Sequence, residues 1–159
     1  MTWRVNKDMW RSPSVVVFLC LLASCAPLIG PYSPTAYQNA TSLKATTLDL
    51  MDKATEPYSK HQKEIESTSV EIDKAYEYVN GVPSNSISAK QWFILKDPNG
   101  DLLGTFFKRW KEAETKQPPA LSPTYVNEFK GQVSDAFDEI ICLEANKKEA
   151  TQCGKKGGK

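Results

Sequence analysis

The chain is poor in the residues that most chemistry needs. It has one histidine, four cysteines and a near balance of 20 basic and 19 acidic residues in 159. The histidine, His61, stands among Lys60, Gln62, Lys63 and Glu64. That reads as solvated helix surface, with no acid or nucleophile spaced to make it catalytic. One histidine with Cys142 and Cys153 gives no zinc-ligand spacing, so neither a metal nor another cofactor is expected. No serine stands in a Gly-x-Ser-x-Gly or Ser-x-x-Lys setting, and an enzyme is not expected. The charge balance gives no reason to expect nucleic acid or an anionic lipid surface as partner. Long apolar runs are lacking as well. The run Val15 to Ala23 rises only about 14 Å as a helix, less than half of a hydrocarbon core of roughly 30 Å. No alternating β pattern stands out after it.

What is present begins with that run. Arg4, Lys7 and Arg11, against Asp8 alone, precede it, and Leu22-Ala23-Ser24-Cys25 closes it. A positive segment, a short apolar core and small residues at a cut site are the order of a secretory signal peptide. Those last four residues resemble, position by position, the lipobox of bacterial lipoproteins. The resemblance implies signal-peptidase recognition of Leu22, Ala23 and Ser24, removal of residues 1–24, and diacylglycerol and palmitate on Cys25. Ala26 stands where an Asp would favour inner-membrane retention, which implies the inner leaflet of the outer membrane, facing the periplasm, in a Gram-negative host. In a Gram-positive host it implies the outer face of the plasma membrane. Two or three acyl chains anchor firmly, at about 0.8 kcal/mol per buried methylene.

From Cys25 onward the chain has the size of one domain. Residues 25–35 hold three prolines and a glycine, which reads as an extended tether. Residues 36–148 read as helical. Ala36, Ala40, Leu43, Thr47, Leu50 and Ala54 form a first amphipathic stripe. Pro57 interrupts it, and the local sequence favours a kink or a restart capped by Thr55 over a full reversal. Tyr58, Ile65, Ile72 and Val79 then recur every seven residues, and Asn80-Gly81-Val82-Pro83 ends that helix. Ser88-Ala89-Lys90-Gln91 fits a capping box opening a third helical region. The turn Asp97-Pro98-Asn99-Gly100-Asp101 follows. Its glycine arrives too early for a calcium loop, so a β-turn with Asp101 capping the next helix is expected. Pro118-Pro119 stops the third region. Ser122-Pro123 starts the last helix, with Val126, Phe129, Val133, Ala136, Phe137 and Ile140 on its apolar face. The tail from Lys147 is polar, and residues 149–159 read as a basic flexible segment. The expected fold is all-α, a three- to four-helix antiparallel bundle after a signal peptide and a Pro-rich tether.

Three groups stand out as candidates. Cys142 lies about 160° from the centre of its helix's apolar face, so a disulfide with Cys153 is expected outside the cytoplasm. Trp92, Phe93, Phe106, Phe107 and Trp110 are denser than one helix needs. Because Phe106 and Phe107 are adjacent and cannot share one direction, Phe106, Phe107 and Trp110 are the candidate partner surface. The glycine-flanked Lys159 resembles the murein lipoprotein, whose terminal lysine is attached to peptidoglycan, although the continuous heptads of that family are absent. The mature part is similar to small helical lipoproteins. The expected function is a membrane-anchored, non-catalytic periplasmic interaction module with an envelope protein as partner. The alternatives are a structural envelope lipoprotein contacting peptidoglycan through Lys155, Lys156 and Lys159, or a binder of a small apolar ligand between the helices.

Overall fold

A computed structural model describes residues 30–147 and Cys153. The lipobox, the signal segment and the basic tail, apart from Cys153, lie outside the described residues. The described residues form five α-helices and no strand: α1 (Pro34–Asp52), α2 (Tyr58–Asn80), α3 (Ser86–Lys96), α4 (Leu103–Ala113) and α5 (Pro123–Ala145).

Local chemistry starts the first and last helices. Ser33 and Ser122 each occupy the N-cap with proline in the first turn. Their hydroxyls accept from the amides of Ala36 at 3.2 Å and Tyr125 at 3.3 Å, satisfying donors that a helix start leaves unpaired. All six residues of the first stripe are buried, as are Val126, Val133, Phe137 and Ile140 of α5. The leucine, valine, isoleucine and phenylalanine side chains among them each add about 1.5–3 kcal/mol on full burial.

At Pro57 the chain does not kink but reverses. A single 3-10 turn, Lys53–Thr55, is followed by extended Glu56 (φ −111°, ψ 165°). α2 then returns along α1. Lys53 pairs with Glu64 at 3.0 Å, and Ser33 Oγ meets Tyr78 Oη at 2.8 Å. The corner is held from afar: the Trp110 indole N–H donates to the Glu56 carbonyl at 2.8 Å. Thr55 caps nothing, and α2 starts without a side-chain cap of its own. The Glu114 carboxylate supplies one, accepting from the Ser59 amide at 3.2 Å and the Ser59 hydroxyl at 2.6 Å.

The third region begins at Ser86, not at the Ser88 box. Ser88 is buried, and Asn85 precedes the helix without capping it. Asn85 closes the previous helix instead, its amide donating to the Val79 carbonyl at 3.2 Å. α3 and α4 lie end to end along α2. Lys96 of α3 reaches Asp73 at 2.8 Å, and Tyr58 and Trp110 meet edge to face at 6.0 Å. Between α3 and α4, Asp97 Oδ1 accepts from the Asn99 amide at 2.9 Å in a side-chain-closed turn. Asp101 is not the cap; Leu102 holds that position and Thr105 Oγ1 donates to the Gly100 carbonyl. Gly104 permits the close approach of the two helices, because a Cβ there would lie 2.2 Å from the Lys96 carbonyl oxygen.

α5 packs against α1, α3 and α4 in the opposite sense to each. Lys44–Asp138 and Lys130–Asp52 tie it to α1. Trp92 stands edge-on to Phe137 at 5.9 Å, while Phe106 stacks on Tyr125 at 6.1 Å. The molecule therefore has two poles. The near pole gathers Gly30, the corner 81–85 and the end of α5. The far pole gathers Lys53–Tyr58, Ala113–Glu114 and Leu121, whose amide donates to the Ala54 carbonyl at 2.9 Å.

Candidate functional site

Two of the three residues proposed from sequence as a partner surface are core. Phe106 and Trp110 have no exposed area, and Phe107 is half-buried against the core. The spacing explains this correction. Leu103, Phe106, Trp110 and Ala113 fall three or four residues apart on one side of α4 and are all buried, the pattern of a core-facing stripe. Phe107, one step round the helix, meets Phe106 at 6.2 Å and stays at the margin.

An exposed ring and an exposed aliphatic side chain stand side by side on α3 instead. Trp92, Phe93, Ile94 and Leu95 are consecutive, and each residue turns 100° from the last, so they cannot all face inward. Trp92 and Leu95 take the inside; Phe93 is left 50% exposed and Ile94 39%. Ile87, seven residues before Ile94, is also exposed and extends this outer face toward the near pole. Phe93 approaches Tyr76 of α2 at 6.4 Å, and the Lys96 ammonium lies 4.7 Å from the same tyrosine ring. Lys96 also pairs with Asp73 at 2.8 Å, giving the apolar patch a charged edge. The adjacency argument applied to Phe106 and Phe107 holds more strongly for this run of four. It was the available signal for the patch.

The near pole holds a buried ionic group that sequence reading placed in solvent. Lys147 is buried, with its ammonium 2.9 Å from Glu144 Oε2 and bonded to Asn85 Oδ1. Neither Glu144 oxygen receives a well-directed hydrogen bond among the described residues. The attraction to Lys147 is therefore its main compensation for desolvation. No local pattern reveals this, because Asn85 comes from 62 residues away. Cys142 and Cys153 are joined, with S–S 2.07 Å and Cα–Cα 5.8 Å, and the loop they close spans Glu144 and Lys147.

At the far pole His61 is more covered than its polar neighbours suggest. Its side chain is 15% exposed, lies 5.7 Å from the Trp110 ring, and sits 3.4 Å from Glu56 and 3.6 Å from Glu64. Lys60, and next His61, hold the Glu56 carboxyl below its ordinary value. Glu64, then Asp49, raises Lys53. These are mutually neutralised surface charges, worth little apiece. Among the described residues no group of His, Cys, Asp and Glu side chains could hold a metal ion. A groove of about 200 Å³ between α2 and α4, lined by Ile72, Asp73, Lys96, Leu103 and Phe107, is smaller than most small-molecule sites. Two larger grooves, of about 340 and 280 Å³, are lined chiefly by charged and hydroxyl side chains of α1 and α2.

The fold and these surfaces define an all-helical domain in which no described helix is long and apolar enough to cross a membrane. No family model, curated protein or solved structure matches the chain.

Proposed function

We propose that this chain is a bacterial lipoprotein, held in the cell envelope by acyl chains on Cys25, that acts as a non-catalytic interaction module. Its five helices make four antiparallel legs, with α3 and α4 sharing one. The partner is an envelope protein, and the surface it meets is the outer face of α3, not α4. One observation carries this reading: Phe93 and Ile94 are 50% and 39% exposed on a helix whose opposite face, Trp92 and Leu95, is completely packed. Single exposed apolar side chains are ordinary, whereas a ring and a branched aliphatic side chain side by side next to a half-buried tyrosine form a contiguous patch. Aromatic anchors of this kind, rimmed by charge, are typical of the buried centre of protein interfaces.

The test is in-cell crosslinking of the lipidated protein in its own envelope, followed by mass spectrometry. One stoichiometric protein partner is expected, and Phe93→Asp and Ile94→Asp are expected to lose it while retaining the folded helical content. Recovery of the same partner with both variants overturns the placement on α3. Palmitate labelling that survives Cys25→Ala overturns the lipid anchor.

A further inference from the structure

We infer that the near pole of the bundle rests on a lipid surface, with Tyr32, Tyr78 and Ile87 at the depth of the headgroups. This rests on the reading of Cys25 as the acylated residue. The first argument is reach. Gly30 is buried against the 82–85 corner, where a Cβ would lie 3.1 Å from the Pro83 carbonyl oxygen and 3.3 Å from Val82 and Asn85. It follows Cys25 by five residues, which span at most about 18 Å when fully extended. The 23 residues of α5 rise about 34 Å, so the pole that holds Gly30 is the one tethered to the bilayer.

The second argument is the distribution of exposed apolar side chains. Tyr32 stands two residues after Gly30, Tyr78 in the last turn of α2, and Ile87 in the first turn of α3; all three are exposed. Among the described residues none of the large exposed apolar side chains lies at the far pole. Tyrosine joins an apolar ring to a polar hydroxyl and concentrates at membrane–water interfaces for that reason.

Charge adds a third argument. Lys155, Lys156 and Lys159 all fall within six residues of Cys153, and Cys153 is bonded to Cys142 in the last turn of α5. Six residues reach no further than about 21 Å, short of the far pole. Two and three residues from Cys153, Lys155 and Lys156 have too little chain to leave the side of the molecule that holds Cys142, and cations there favour an anionic surface. Net charge summed over the chain hides this placement. The same short reach makes contact with peptidoglycan beyond the far pole unfavourable for this tail.

Tryptophan fluorescence in membranes tests the inference. Tyr32→Trp, Ile87→Trp and, at the far pole, Thr115→Trp are each made in the mature lipidated protein that begins at Cys25. Each is reconstituted into phosphatidylethanolamine–phosphatidylglycerol vesicles with or without brominated acyl chains. Trp92 and Trp110 are buried and give a constant background. Bromine is expected to quench the tryptophans at 32 and 87 several-fold more than the one at 115. Replacing Lys155, Lys156 and Lys159 by glutamine is expected to weaken that quenching, and an unchanged value removes the lysines from the contact. Equal quenching of all three variants, in protein whose intact mass carries the lipid, overturns the inference. A Cys25 without lipid, on protein that stays out of the vesicles, overturns the lipoprotein reading itself.

Discussion

α3 and α4 are the same length, 11 residues each, follow one another along α2, and are both rich in aromatic side chains. They differ in how the large residues are spaced. α4 sets Phe106 and Trp110 four apart, so both fall on one face and vanish into the core. α3 sets Trp92, Phe93, Ile94 and Leu95 in a row, so half of them must remain outside. Aromatic density therefore says how much apolar surface a helix has, and spacing says how much of it is left for a partner.

The comparison is broken most severely by removing the buried ring. Trp110→Ala leaves a cavity beside Phe106 and removes the donor to the Glu56 carbonyl; a loss of about 3–5 kcal/mol is expected from denaturant unfolding. Phe93→Ala is expected to change stability by much less, at most about 1 kcal/mol, while abolishing partner capture. Equal losses for the two would mean that α3 and α4 are packed alike.

The start of α3 depends on a contact that α4 lacks. Lys147→Met leaves Glu144 buried with no ammonium beside it, and a loss of about 3–5 kcal/mol is expected. Combining it with Glu144→Met is expected to recover part of that loss, because the uncompensated charge is gone. A double variant no more stable than the single one contradicts this account.

The smallest effect belongs to the end of α4. Glu114 accepts two hydrogen bonds from Ser59 at the positive end of α2, and those bonds hold its carboxyl below the ordinary 4.5. The stability this contributes is present above the ordinary value and is lost as pH falls through the lowered one. Glu114→Gln is therefore expected to be less stable than the parent near neutrality. The difference between them in denaturation midpoint should shrink in acid. A difference that is constant with pH would show that the carboxylate's charge plays no part.

Much of the helical framework was legible from local chemistry. The serine–proline start at Ser122 and the apolar stripes of α1 and α5 can be read directly, because capping and burial of one face depend on residues within a turn or two; Ser33-Pro34, read as the end of the extended tether, instead caps and opens α1. The corner at Pro57 was not legible as a reversal: its stabilising donors, Trp110 and Glu114, are more than fifty residues away. The Ser88 capping box misled for a similar reason. Asn85 is engaged with Val79 and Lys147, which moves the helix start forward and buries Ser88. Phe106 and Trp110, read as surface, are core, whereas the consecutive run in α3 leaves Phe93 and Ile94 exposed.

By itself, then, the sequence determined that the chain is helical, which stripes face inward on α1 and α5, and that α3 has more apolar residues than one face can hold. Those are properties of spacing along the chain, and 100° per residue converts spacing to direction. Only the tertiary structure decided where α1 turns back, that Lys147 is buried, and that Gly30, Tyr32, Tyr78, Ile87 and Cys153 gather toward one pole. Each of these is set by groups far apart in the chain that meet only when the helices pack, and no local propensity encodes such a meeting.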